Sequence, residues 1–158
     1  MSVPRPIVII DTSVFLADAV SPGRAGAATQ ILRILPVAAH IALCDDIRSE
    51  LFEKLTGDLE WTNAEVLDRY GVILDAAMWV ASVEERSDHL AFVKDDPDDT
   101  MLVRLAEALY SDPEALSLIA PDQGRFIVSH NRRHVRPGSN YAGFLAVTPR
   151  QLLRDLAR

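Results

Sequence analysis

Ile7-Val8-Ile9-Ile10-Asp11-Thr12-Ser13 is the stretch of the chain that decides its fold. Its four consecutive β-branched residues predict a strand buried on both faces, which is typical of parallel sheets. The polar residues after the strand predict a turn into a helix, with Thr12 or Ser13 as the helix cap. Asp11 follows the strand directly and needs hydrogen-bond partners or a metal, because an unpaired buried charge is costly. Helix capping is the alternative role for Asp11.

Strands and helices alternate along the rest of the chain. Further strands are predicted at residues 40–44, 126–128 and 144–147, and a loosely alternating stretch at 88–93 is a candidate short strand. Five helices are predicted. The first spans residues 25–35 and ends at Pro36, and the second runs from Asp45 or Asp46 to about residue 55. The third runs from its cap Thr62 to Met78, the fourth from about Pro97 to residue 109, and the fifth begins after its cap Thr148. This order predicts the α/β class, with a mostly parallel sheet of about 4–5 strands covered by helices on both faces.

Length and composition limit the class of protein. The chain has 158 residues, 16 basic and 23 acidic side chains, and a net charge of -7. The length predicts a single domain over 1–158, with 111–124 as an insertion. The overall acidity argues against a simple basic nucleic-acid clamp, although residues 125–158 hold 7 basic side chains and 1 acidic one.

The cysteine count and the hydropathy pattern indicate the cellular compartment to expect for the protein. Cys44 is the single cysteine, so no intramolecular disulfide forms and a buried structural thiol is expected. No signal-peptide pattern is visible, and no apolar run approaches the roughly 20 residues of a membrane span. We therefore expect a soluble cytoplasmic protein that does not contact a membrane. Trp61 and Trp79 are expected in the core.

Acidic residues supply the candidate chemistry. Polar groups follow several strands and should meet at one edge of the sheet, among them Asp11 and Ser129. Four carboxylates stand within residues 95–99, more than a helix N-terminus needs, and this surplus favours Mg²⁺ or Mn²⁺. Asp96 and Asp99 share a helix face, and Asp99 should point toward the sheet. Glu50 is a third candidate, with a solvated ion pair to Lys54 as the alternative.

Several motifs, in the same order as in the family, resemble the PIN domain family. The stretch quoted first is similar to the apolar strand and Asp-Thr-Asn/Ser that open PIN domains. Ser49-Glu50-Leu51 resembles the second acidic site of the family, and Asp96-Pro97-Asp98-Asp99 resembles the helix start of PIN proteins that act as toxin components. Ile127-Val128-Ser129-His130-Asn131 resembles the later strand end, and Val147-Thr148-Pro149 resembles the start of the closing helix.

The resemblance implies a PIN-like three-layer α/β/α sandwich that carries a nuclease site. Asp11, Glu50 and Asp99 would be its main acids, with Asp96 close by, and they would hold one or two Mg²⁺ or Mn²⁺ ions. Such an ion lowers the pKa of a bound water and offsets charge on phosphoryl oxygens, so RNA hydrolysis would leave a 5′-phosphate and a 3′-hydroxyl. Ser129, where the family usually has Thr, would position a water or a carboxylate. The family also implies a toxin with an antitoxin partner, and a homodimer.

Two departures from the family pattern leave a second function open. Asn131 stands where the fourth acid is usual, and an amide coordinates through oxygen without adding negative charge. The insertion at 111–124 lengthens one connection. A catalytically weak or inactive PIN-fold protein that binds RNA or serves as a scaffold is therefore the alternative to an endoribonuclease.

The arginine-rich stretch after residue 129 is the candidate RNA-binding segment. Arg132, Arg133 and Arg136 would face phosphates, and a solvated arginine loop is the alternative. His130 and His134 have the spacing of a metal pair, but no third His or Cys accompanies them in the sequence, which disfavours zinc. A nucleotide-dependent oxidoreductase is excluded because no Gly-x-Gly-x-x-Gly follows the first strand, and an Asp-x-Asp phosphatase because residue 13 is Ser.

Overall fold

A computed structural model describes residues 5–21, 26–94, 99–118 and 123–158. The chain forms a mostly parallel sheet flanked by helices, a three-layer α/β/α sandwich as predicted. The elements in chain order are β1 (Ile7–Ile10), α1 (Thr12–Ala19), α2 (Ala27–Ala38), β2 (His40–Leu43), α3 (Asp45–Gly57), α4 (Asn63–Ala76), β3 (Met78–Trp79), α5 (Ser87–Phe92), α6 (Thr100–Tyr110), α7 (Pro113–Ser117), β4 (Arg125–Val128), β5 (Asn140–Tyr141), β6 (Phe144–Val147) and α8 (Pro149–Leu156).

β1 lies at the centre of the sheet, where the strand order changes direction. The order is β3-β2-β1-β4-β6-β5, and only β5 runs antiparallel to its neighbour in the described part of the chain. Ile10 at the end of β1 pairs with Val128 at the end of β4, so both strands end at the same level. All four residues of β1 are fully buried. In such sheets, ligands bind outside the carboxyl ends of the strands where the order reverses.

The sheet is larger than predicted. The sequence indicated about 4–5 strands, and the described residues form six. The two short strands β3 and β5 were missed because two residues carry no readable alternation. The stretch 88–93, a candidate strand, is instead helical: α5 covers Ser87–Phe92, and Val93 follows its last residue. His89 explains the difference, because its buried ring makes a hydrogen bond with Glu107 and thereby holds α5 against α6.

Several helix ends also differ from prediction. Pro36 does not stop α2, which continues to Ala38 and ends with the Ala39 amide donating to the Leu35 carbonyl. α4 ends at Ala76, so Met78 lies in β3 instead of the helix. The residue before α3 is Cys44, with Asp45 and Asp46 in the first turn.

The remaining local predictions divide between those confirmed and those corrected. Thr62 and Thr148 cap α4 and α8 through their hydroxyls, as predicted. Cys44 is free and buried, and burial raises the pKa of its thiol. Trp61 is partly buried and stacks on Tyr70, whereas Trp79 on edge strand β3 is 44% exposed and does not belong to the core.

A buried ion-pair network ties α1 to its neighbours. Asp18 of α1 is 3% exposed and accepts hydrogen bonds from Arg69 at 2.8, 3.0 and 3.1 Å. Thr29 of α2 and Tyr70 of α4 also donate to its carboxylate, at 2.5 and 2.8 Å. Burial raises the pKa of Asp18, but the bonds from Arg69, Thr29 and Tyr70 outweigh it and leave the pKa below its usual value. The network therefore fixes α1, which begins directly after Asp11, against α2 and α4.

Among the described residues, no helix has the length and apolar character that crossing a membrane requires.

Candidate functional site

Asp11 is the centre of the candidate site. It follows β1, its amide donates to the Val128 carbonyl at 3.0 Å, and its side chain is 3% exposed. It occupies the position before α1, but its carboxylate makes no helix-capping hydrogen bond. Capping therefore does not explain the buried charge at this point.

Two serine hydroxyls hold the Asp11 carboxylate. Ser13 donates to its Oδ2 at 2.6 Å, and Ser129 donates to the same oxygen at 2.7 Å. Each hydroxyl then accepts from a backbone amide, Ser13 from His130 at 2.9 Å and Ser129 from Asn131 at 3.0 Å. Both hydroxyl protons are thus directed at Asp11, which orients its carboxylate. The hydrogen bond from Ser129 to Asp11 is of the kind that would position a carboxylate, one of the two roles that the resemblance implies for this serine.

Asn131 connects Asp11 to Asp99. Its backbone reaches Ser129, and its side-chain amide donates to Oδ2 of Asp99 at 3.4 Å. Asp99 precedes α6, is 6% exposed, and makes no helix-capping bond through its side chain. Asp99 is therefore a second buried carboxylate without a capping role. Asp11, Ser129, Asn131 and Asp99 form one hydrogen-bonded chain.

Glu50 borders Asp11 on another side. Glu50 lies on α3 with its side chain 14% exposed, and it accepts a hydrogen bond from the Thr12 hydroxyl. Lys54, one turn later, forms an ion pair with Glu50 at 3.1 Å. The predicted ion pair with Lys54 is therefore present, and the Glu50 carboxylate also acts on the pKa of Asp11. The role of Glu50 as a metal ligand stays a prediction.

Burial and a neighbouring carboxylate both disfavour the charged form of Asp11. Burial raises the pKa of Asp11 most, and the nearby Glu50 carboxylate raises it further. The two serine hydroxyls and the Lys54 ammonium lower this pKa but do not cancel the rise. A bound divalent ion would offset both the burial cost and the repulsion between the acids. The available ligands are oxygens of carboxylates, hydroxyls and an amide, which suit Mg²⁺ or Mn²⁺.

The metal ligands are not gathered as a ready cluster. Within the described ranges, no three His, Cys, Asp or Glu side chains are grouped closely enough to hold a metal. Asp96, the fourth predicted acid, lies outside the described residues together with 95, 97 and 98. The donor chemistry fits a hard divalent ion, and closure around the ion would have to bring Glu50 and Asp99 toward Asp11.

The sequence missed several residues of this group. The sequence predicts Thr12 or Ser13 as the helix cap, whereas both lie in the first turn of α1 and donate to Glu50 and Asp11. Their place right after Asp11 is the signal that points to this role. The sequence predicts Lys54 only as the ion-pair partner of Glu50, and it does not indicate that the Lys54 ammonium also lowers the pKa of Asp11. Of the three predicted RNA-binding arginines, Arg132 lines a groove beside the site, whereas Arg133 and Arg136 are exposed and do not line it.

A scan against protein-family models finds no match to this chain, and a search of curated proteins finds no similar sequence. The α/β class and the geometry around Asp11 are therefore the basis for assigning a function.

Proposed function

We propose that the protein is a metal-dependent ribonuclease of PIN type whose site is centred on Asp11. The observation that carries the proposal is a buried carboxylate at the carboxyl end of the central strand, with a raised pKa and no helix-capping role. Such a group is costly to keep in the metal-free protein, and its position matches the reversal point of the sheet. The motif resemblance supplies the reaction class.

In this proposal Asp11, Glu50 and Asp99 hold Mg²⁺ or Mn²⁺ through carboxylate oxygens, and Asp96 is a further candidate ligand. A bound ion would supply an activated water and would neutralise charge on the phosphate. The serine at 129 keeps the Asp11 carboxylate oriented through its 2.7 Å bond. Asn131 contributes an amide that holds Asp99 and adds no charge of its own.

Cleavage of RNA with defined metal tests the proposal. Purified protein is incubated with mixed RNA and Mn²⁺ or Mg²⁺, alongside Asp11→Asn and an EDTA control. The matched control is Asp68→Asn, which removes an exposed acid from α4. Cleavage should persist in Asp68→Asn and disappear in Asp11→Asn and with EDTA. Equal cleavage by wild type and Asp11→Asn would contradict the proposed site.

A second function, a weak or inactive PIN-fold protein that binds RNA or acts as a scaffold, is favoured by one observation. Asn131 donates its amide to Asp99 at 3.4 Å instead of presenting a fourth carboxylate. This arrangement lowers the negative charge available for a second ion. If wild type binds RNA without cutting it, and Asn131→Asp acquires Mn²⁺-dependent cleavage, the second function is the correct one.

The partner proposals rest on the family resemblance alone. They are a toxin role in the cytoplasm, an antitoxin protein that restrains it, and a homodimer. Induced expression in a bacterial host should arrest growth for the wild type and spare it for Asp11→Asn. Light scattering on the eluted protein should give twice the chain mass of 17.4 kDa. Growth arrest by both forms, or a monomer mass, would refute the corresponding part.

A further inference from the structure

Two grooves of opposite charge border the candidate site. The first, here called the basic groove, has a volume of about 620 Å³ and lies among α1, the start of α2, the loop after β4 and the start of α8. Its charged or titratable lining residues are His130, Arg132 and Arg150. It adjoins the site through His130, whose amide donates to the Ser13 hydroxyl that holds Asp11.

The second, here called the acidic groove, has a volume of about 510 Å³ and lies between α3 and α6. It adjoins the site through Glu50 and is lined by two cations, Lys54 and Arg104, against five carboxylates: Asp46, Glu50, Glu53, Asp58 and Glu85. Both cations are already paired, Lys54 with Glu50 at 3.1 Å and Arg104 with Asp46 at 3.4 Å. This groove therefore presents net negative charge to any polyanion.

The basic groove offers cations without competing acids. No carboxylate lines it among the described residues. Arg132 and Arg150 are both exposed, and neither guanidinium makes an ion pair or hydrogen bond with another described residue. Because a guanidinium can donate two parallel hydrogen bonds to one phosphate, two such groups beside a nuclease site suit a sugar–phosphate backbone.

We propose that a single nucleic-acid strand leaves the Asp11 site through the basic groove, with Arg132 and Arg150 each contacting a phosphate next to the one that is cut. The acidic groove repels the strand and so makes its path one-sided. The inference rests on the proposed function, since it assigns a course to the substrate of that site. It adds Arg150, a residue that the sequence patterns did not single out, and it selects Arg132 over Arg133 and Arg136.

The test uses a matched pair on one helix. Arg150 and Arg154 are both exposed arginines of α8, one turn apart, and only Arg150 lines the basic groove. Arg132→Gln, Arg150→Gln and Arg154→Gln are each made in the Asp11→Asn background, so that RNA is not consumed. Binding of a fluorescein-labelled single-stranded 12-mer RNA is followed by anisotropy over a salt series.

The expected result is a several-fold loss of affinity for Arg132→Gln and Arg150→Gln, with the salt slope reduced by about one for each, and no change for Arg154→Gln. Equal RNA affinity in all three variants, or no RNA binding at all, would contradict the proposal that the strand follows the basic groove.

Cleavage assays in the otherwise wild-type chain separate the two proposals. RNA binding that depends on Arg132 and Arg150, without any metal-dependent cleavage, would support the proposed strand path and contradict the proposed ribonuclease activity. Cleavage with unchanged KM in Arg132→Gln and Arg150→Gln would support the ribonuclease activity and contradict the proposed strand path.

Discussion

Asp11 is the residue at which burial and charge conflict most directly. Its carboxylate is held by two hydroxyls, yet burial and the Glu50 carboxylate keep its pKa above the usual value. A raised pKa means that folding favours the protonated acid. The stability that Asp11 contributes is therefore complete below the unfolded pKa, near 3.8, and is lost as the pH rises through the folded value. Above the folded pKa the ionised group opposes folding, and a bound cation would offset that cost.

Asp11→Asn should accordingly stabilise the metal-free protein at pH 7. An asparagine oxygen can still accept from both serines while the charge is gone, so we expect a gain on the order of 1 kcal/mol, a rise in Tm of roughly 2–4 °C. At pH 3 the two forms should melt together. Mn²⁺ should raise the Tm of the wild type alone. Differential scanning calorimetry in EDTA measures the effect, and a lower Tm for Asp11→Asn at pH 7 would contradict it.

Lys54 is the residue with which a metal ion would have to compete for the Glu50 carboxylate. Its ammonium lies 3.1 Å from Glu50 and lowers the pKa of Asp11. Removing a half-exposed ion pair of this kind is worth up to about 1 kcal/mol, so Lys54→Met should bind Mn²⁺ up to about fivefold more tightly. Electron paramagnetic resonance titration of free Mn²⁺ gives the affinity, with the chain's other lysine, in Lys94→Met, as the control. Unchanged or weaker Mn²⁺ binding would show that Lys54 does not oppose the ion.

At the scale of elements, the site depends on how α1 is held. α1 starts next to Asp11, and Asp18 near its other end is bonded to Arg69, Thr29 and Tyr70 of the neighbouring helices. This network could not be predicted from the sequence, because a single acid in a short helix has the pattern of a solvent-facing residue. Only the packing of three helices around Asp18 buries it.

Asp18→Asn should destabilise the fold by about 3 kcal/mol, because it leaves the partly buried Arg69 without its charge partner. The pKa of Asp18 is lowered, so its contribution is present above the unfolded pKa and is lost as the pH falls through the folded value. The difference between the variant and the wild type should therefore shrink below about pH 3.8. Urea unfolding at pH 7 and pH 3 checks this, with Asp68→Asn as the neutral comparison. An equal difference at both pH values would contradict the role of the charge.

The elements that the sequence predicted are those with long or sharply bounded patterns. β1 with its four buried residues and α8 with the Thr148 cap could be predicted from local chemistry. β3, β5 and α5 could not, since their conformations depend on neighbours distant in sequence. The same division holds at the site. Asp11, Ser129 and Asn131 follow strands and could be predicted, whereas Lys54 and Arg150 depend on which helix faces which groove.

At the scale of the whole molecule, the net charge of -7 is an average over surfaces of unlike charge, and two of these are the grooves beside the candidate site. The basic groove carries Arg132 and Arg150 without acids among the described residues, and the acidic groove carries five carboxylates. An acidic protein is then compatible with a polyanionic substrate, because the contacts with phosphate are local. The charge argument against nucleic acid applies to the average surface and not to this groove.

Metal should therefore control RNA binding by the whole protein. Without a divalent ion, the carboxylates around Asp11 repel the phosphate, so we expect weak and strongly salt-dependent binding in EDTA. Mn²⁺ should strengthen RNA binding by an Asn131→Ala variant, which keeps the three proposed metal ligands Asp11, Glu50 and Asp99. The same ion should have little effect on RNA binding by Asp11→Asn, which lacks one of these ligands. Anisotropy with and without Mn²⁺ measures this, and an equal gain in both variants would show that the ion acts elsewhere.

The measurement that tests the central claim most directly is the chemistry of the RNA ends. Wild type and Asp11→Asn are purified in parallel and incubated with a defined single-stranded RNA and Mn²⁺, and the ends of every product are identified by mass spectrometry. Hydrolysis by an activated water should leave a 5′-phosphate and a 3′-hydroxyl, from the wild type only. Products carrying a 2′,3′-cyclic phosphate, or the same products from Asp11→Asn, would contradict a metal-dependent site built on Asp11.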